Sequence, residues 1–344
     1  MKVLRLHGAR DLRLHTEPDP APGPGESLLR VTAVGLCGSD VRWFSEAGIG
    51  DARLTKPLVL GHEFAGVIES GKRCGERVAV DPAVPCGVCE FCQEGNPNLC
   101  AALRFAGHGT EDGALRGFMA WPTHCLHPLP DSLTDADGAV LEPLGVAIHA
   151  VDLGHIRPGM TVGVFGCGPV GLLVLQVARA AGATHLIATD KLVHRLQAAR
   201  SLGATVVFQA ADGQEVADVI GATANRRGVD VAFEAAGDNE AVEAAIEAVR
   251  PGGRVVLVGI PADDRTAFTA STARRKGLTI KLSRRMKHVY PRAIRLVESG
   301  MVDVRSVVTH RYPLEEIDQA FSVAEKREGL KVIIQPSLPL RAAP

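Results

Sequence analysis

The sequence predicts an α/β protein in which a Rossmann-type, doubly wound parallel sheet is joined to a second, β-rich domain. Three observations carry that reading. From about residue 156, apolar strand-like runs alternate with helix-like segments over roughly 130 residues, the pattern of a parallel sheet with crossover helices. Before it, short β-branched runs sit between Gly/Pro clusters, which reads as antiparallel strands and turns. The 344 residues also exceed what one hydrophobic core normally serves, so two domains are expected.

Taken in order, strands are expected at 27–34, 59–70 and 77–80, with a turn-rich stretch at 18–25 before them. Buried parallel strands follow at 161–165, 184–189, 205–208, 229–234 and 254–258. Helical periodicity occupies 169–181, 192–202, 214–221 and 239–249 between them. After residue 277 the pattern turns irregular, with helices near 290–299 and 313–325 and a last strand at 330–334. The dinucleotide domain is therefore expected at 153–285, and the β-rich domain at 1–152 and 286–344.

A net charge of −1 gives no field to recruit nucleic acid or an anionic membrane. The basic residues Arg274, Arg275, Lys276, Lys281, Arg284, Arg285 and Lys287 lack interleaved aromatics and read as a solvated face. No apolar run has the length of a membrane span, and the first residues are broken by charge too early for a secretion signal. Eight cysteines in that setting point to the reducing cytoplasm and to thiols that bind metal.

Four of those thiols, Cys86, Cys89, Cys92 and Cys100, fall within fifteen residues. Such spacing lets a short loop, here expected at 82–102, fold around one ion as a closed tetrahedral S4 set, which suits a structural zinc. Ferredoxin-type iron–sulfur runs close with a gap of three residues, and this run closes with seven.

Directly after the 161–165 run comes Gly166-Cys167-Gly168-Pro169-Val170-Gly171, a G-x-G-x-x-G that follows a strand and opens a helix. Gly166 permits the tight turn, Gly168 lets backbone amides approach a pyrophosphate, and Gly171 lets helix and strand pack closely. The next strand ends at Asp190, a carboxylate placed to accept from ribose hydroxyls and to repel a 2′-phosphate, so NAD is expected over NADP. Lys191 and Arg195 follow closely and weaken that preference.

A second metal site is assembled from separate motifs. Cys37 lies in G-L-C-G-S-D and His62-Glu63 in G-H-E, a thiolate, an imidazole and a carboxylate that zinc accepts. Glu142 is an acid in an apolar stretch, costly to bury without a cation or donor and unremarkable if exposed. Three protein ligands with one exchangeable position make a Lewis-acid site that lowers the pKa of a coordinated hydroxyl.

With these motifs together, the chain resembles the zinc-containing medium-chain dehydrogenase/reductase family, closest to its sorbitol/polyol dehydrogenase branch. C-G-S-D, G-H-E-F-A-G, the four-cysteine lobe, L-E-P-L-G-V-A-I-H-A, G-C-G-P-V-G and V-T-H-R-Y-P-L carry the resemblance over nearly the whole chain. It implies a GroES-like catalytic domain, a Rossmann domain, two zinc ions per chain and NAD. It also implies that Cys37, His62 and Glu63 ligate the catalytic zinc, with Glu142 as a fourth ligand or holding the zinc-bound water. By the same resemblance Ser39 takes the substrate proton, and Val170, Asp190, Arg195, Val258, Gly259 and Ile260 line the cofactor. Arg284 and Arg285 reach it too, Arg285 also touching substrate. Relatives form homo-oligomers, dimers or more often tetramers, by pairing dinucleotide domains edge to edge, so 254–258 is expected to be that edge.

The chain also departs from the family. Arg42 stands where many relatives carry a proton-relay histidine, and a guanidinium does not release its proton at working pH. Met286 and His288 stand where polyol dehydrogenases often show tyrosine and asparagine, which opens the question of the preferred hydroxyl pattern. The expected reaction is interconversion of a secondary alcohol of a polyol and its ketone. L-threonine and aminocyclitol oxidation are the alternatives within the family, and a non-catalytic NAD-binding protein is a remote one.

Overall fold

The computed structural model describes residues 1–211 and 213–336. It divides into two compact units, one made of residues 1–142 and the chain from Val304 onward, the other of Pro143–Asp303. Neither boundary falls where composition placed it. The first lies inside the helix Asp135–Gly154, where Gly145 leaves no room for a Cβ against Met286 and Val289, and Gly154 none against Phe233. At the second, Gln176 bonds both backbone groups of Asp303, at 3.0 and 2.7 Å, and so ties the 286–303 stretch to the second unit.

In the second unit six parallel strands run in the order Val206–Gln209, His185–Asp190, Thr161–Phe165, Val229–Glu234, Val249–Leu257, Thr279–Leu282. The central strands are covered on both faces, which is why they read as unbroken apolar runs such as V-A-F and V-V-L. The expected edge at 254–258 is corrected here. Val249–Leu257 pairs on one side with Val229–Glu234 and on the other with Thr279–Leu282, which is the true edge. That last strand, T-I-K-L, is short and mostly exposed, so it left no apolar run in the sequence.

The first unit is built on a sheet in which Glu26–Gly35 is central. It pairs antiparallel with Glu63–Ile68, Phe118–Pro122 and Lys331–Gln335. The core beneath it contains Trp43, Leu58, Leu60, Phe64 and Trp121. Register is what matters for function: Gly35 faces Glu63 across one neighbour and Ile333 across the other. The C-terminal strand thereby arrives beside two segments nearly three hundred residues earlier. Among the described residues, no helix is long and apolar enough to cross a membrane.

Candidate active site

Cys37 follows the central strand and caps the N-terminal end of the helix Gly38–Glu46. His62 follows Gly61, whose φ of 95° is a left-handed conformation that side chains resist. Glu63 opens the next strand. The ligand atoms of Cys37, His62 and Glu63 all lie within 4.8 Å of one another.

A buried acid that the sequence reading did not single out organises this group. Asp40 is fully buried, accepts from Cys37 N at 2.9 Å and Gly61 N at 3.1 Å, and lies 3.4 Å from His62 Nδ1. One carboxylate thus braces two ligand segments and leaves Nε2 of His62 as the nitrogen available to a metal. Burial disfavours charge on Asp40, but His62 and the two amides outweigh it and hold the carboxyl below its usual range. The signal was present as an acid three residues after the cysteine, in the first turn of a helix.

Glu63 is held by Lys331, the second residue that the sequence reading passed over, at 2.7 and 2.6 Å from its two oxygens. Gly35 is required here for space, because a Cβ would collide with the Glu63 carboxylate. Glu142, on the helix Asp135–Gly154, is 5% exposed and lies outside the three-residue cluster among the described residues. Burial and then the Glu63 charge raise its carboxyl to about 7, against the pull of His62 and Lys331. Ser39 is half-buried in the first helical turn, two residues beyond Cys37, and Arg42 follows three residues later on the same helix.

An aromatic wall adjoins the cluster. Phe105 packs on His62 with ring centroids 5.3 Å apart, and His108 meets Trp43 edge-on at 5.5 Å. Trp43 Nε1 donates to His108 Nδ1 at 3.2 Å, which assigns the ring proton of neutral His108 to Nε2. Phe105 and His108 were not foreseen, since neither stands in a motif.

Cys86, Cys89, Cys92 and Cys100 form a second group with sulfurs within 4.8 Å of one another. The lobe is closed at its base by pairing of Ala83–Val84 with Arg104–Phe105. Backbone amides of Val88 and Cys89 lower the Cys86 thiol to about 6, while desolvation and its sulfur neighbours raise Cys92 to about 12. Four thiol donors with no imidazole or carboxylate among them fit a closed zinc site. The mixed set of Cys37, His62 and Glu63, with three donors, fits an open one.

In the second unit Gly166 has φ 100° and no room for a Cβ against Ala236, and Gly171 has none against the Gly166 carbonyl. Gly168 caps the helix Pro169–Ala180, with Pro169 at its first position and Val170 next. Asp190 Oδ2 accepts from Cys167 N at 2.7 Å and Oδ1 from Leu192 N at 2.8 Å, while Arg195 lies 3.7 Å away. The turn Val258-Gly259-Ile260 is pinned where Val258 N and Gly259 N donate to Glu234 O, at 2.8 and 3.1 Å. Arg284 and Arg285 follow the edge strand, Arg285 with φ 52°.

A metal set with one position open and a strand–glycine–helix turn for pyrophosphate define a class: dehydrogenases that combine a metal with a nicotinamide carrier. Comparisons with known proteins agree. Residues 23–131 match the alcohol dehydrogenase GroES-like domain, and residues 169–299 match the zinc-binding dehydrogenase domain. The chain is 37% identical to sorbitol dehydrogenase of Bacillus subtilis, covering 98% of each. It is 38% identical to that of Homo sapiens, covering 96% of this chain and 95% of the human one. An Escherichia coli oxidoreductase/dehydrogenase of unknown specificity superimposes with a TM-score of 0.92 at 33% identity, over 98% of this chain and 99% of that one. The chain belongs to the zinc-containing medium-chain dehydrogenase/reductase family, in its sorbitol/polyol branch.

Proposed function

We propose that the protein is an NAD-linked, zinc-dependent polyol dehydrogenase that interconverts a secondary alcohol of a sugar alcohol or cyclitol and the ketone. The observation that carries this reading is the convergence of Cys37, His62 and Glu63 from separate segments onto one point. Zinc held there supplies a Lewis acid for the alcohol or carbonyl oxygen. Ser39 would accept the hydroxyl proton, and NAD held at the Gly166–Gly171 turn and Asp190 would supply the hydride acceptor. Arg42 passes no proton on, so the relay ends in water or ribose hydroxyls. Glu142, raised toward neutrality, holds a proton or an ordered water near the reacting oxygen. Phe105 and His108 flank the substrate, with Trp43 behind them in the core fixing the His108 ring. Intact ligands speak against a non-catalytic protein. Metal analysis with NADH absorbance over a panel of polyols, aminocyclitols and threonine tests the reading. Two zincs per chain and NAD reduction with a polyol are expected; one zinc or fewer, or no NADH from any alcohol, overturns it.

Asp190 sets the cofactor preference. Asp190→Ala is expected to raise KM for NAD about tenfold or more, since a hydrogen bond to a charged group contributes roughly 1.5–3 kcal/mol. KM for NADP should fall or stay level. An equal rise for both cofactors would show that only the local fold, through Cys167 N and Leu192 N, had been disturbed.

Two copies pair through the Thr279–Leu282 edge, whose outer backbone groups offer a template for another strand. Leu282, 74% exposed, supports this. Leu282→Lys is expected to shift sedimentation toward the monomer, and an unchanged sedimentation coefficient would refute the edge assignment. Eight unbridged cysteines support a reducing, cytoplasmic compartment.

A further inference from the structure

Lys331 is 2% exposed, a rare place for an ammonium, and lies next to the metal cluster. An ammonium has three N–H donors, and here all three are used: Glu63 Oε1 at 2.7 Å, Glu63 Oε2 at 2.6 Å and Leu36 O at 3.0 Å. Leu36 immediately precedes Cys37, and its own amide donates to Val332 O at 2.9 Å. The C-terminal strand therefore grips both the segment that carries the thiolate and the carboxylate itself.

A cation beside a site meant for another cation needs a geometric reason, and both oxygens of Glu63 accepting from Lys331 Nζ supply it. Like-charge repulsion from Lys331 weakens metal binding in principle. Against it stands the loss of Glu63 as a ligand, because a buried carboxylate stripped of its partner protonates or turns away. A carboxylate has about four lone-pair sites, so Glu63 serves ammonium and metal together. Orientation therefore wins over repulsion.

We propose that Lys331 is a positioning residue of the catalytic zinc site, holding Glu63 in the ligating orientation and bracing the segment that carries Cys37. The inference rests on the reading of Cys37, His62 and Glu63 as a zinc site.

The test is zinc affinity of the full chain, by chelator competition, with the four-cysteine site as an internal control. Lys331→Met is expected to weaken the catalytic site roughly tenfold to a hundredfold, as loss of a partner that orients a ligand does. The four-cysteine site should keep its affinity. Lys331→Gln, which keeps donors without charge, should fall between, and it is measured in place of Lys331→Met should that variant not fold. Cobalt(II) at the catalytic position should show shifted d–d bands in either variant, a signature that a purely structural lysine would not move. Affinity within twofold of wild type with superimposable cobalt spectra overturns the proposal, whatever happens to Tm. Wild-type protein that binds zinc only at the four cysteines overturns the zinc-site reading instead, and the two failures are thereby distinct.

Discussion

Cys37→Ala is expected to purify with one zinc instead of two and to reduce NAD roughly a thousandfold more slowly, or worse. The magnitude follows from the Lewis acid's share of transition-state stabilisation, several kcal/mol, at about 1.4 kcal/mol per factor of ten. Removing the thiolate leaves His62 and Glu63, two donors where an open site needs three. The fold should survive, because Cys37 is partly exposed and lies at a helix end held independently by Asp40. The loss should appear in kcat/KM with little change in Tm. A variant that keeps both ions, or turns over within tenfold of wild type, would show that the thiolate is no ligand.

Cys100→Ser should also lose one ion of two, but the other one, and with the opposite phenotype. Cys100 is the most buried of the four lobe thiols, at 2% exposure. A structural zinc contributes about 10 kcal/mol or more of apparent binding energy, comparable to the roughly 5–15 kcal/mol that holds a whole domain folded. The lobe has little else to hold it: its helix is only Glu90–Gln93, and Val88, Phe91 and Leu99 are exposed instead of packed. The lobe should therefore unfold locally, with protease cleavage between residues 86 and 100 that wild type resists. The urea midpoint of the β-rich unit should fall, by about 4 kcal/mol or more in stability. The catalytic zinc and NAD binding should remain. If cleavage and midpoint match wild type, the four thiols are ordinary packing residues.

Much of this was legible in the chain, for local reasons. The six residues of the glycine turn must sit between strand and helix, and four thiols with short gaps must fold on one point; both are constraints within one loop. Four of the parallel strands were visible within a residue, because strands buried on both faces must be apolar throughout, whereas Val249–Leu257 opens through the polar R-P-G-G stretch and was expected only from 254. Thr279–Leu282 was missed because an edge strand is not obliged to be apolar. Asp135–Gly154 was not seen as a helix: it is apolar nearly all round, so it has little 3.6-residue periodicity to show, and it carries Pro143 within it.

What the sequence determined by itself is chemistry that travels with a short motif: the class of fold, two sets of side chains able to hold a metal, and a carboxylate at the end of the strand after the glycine turn. What the tertiary structure decided is which charges neutralise which. Asp40 became the brace of His62, and Lys331 the partner of Glu63 across 268 positions. Only sheet register makes that second pair. Strands bring residues together by hydrogen-bonded alignment, and alignment between distant strands has no signature in either strand alone.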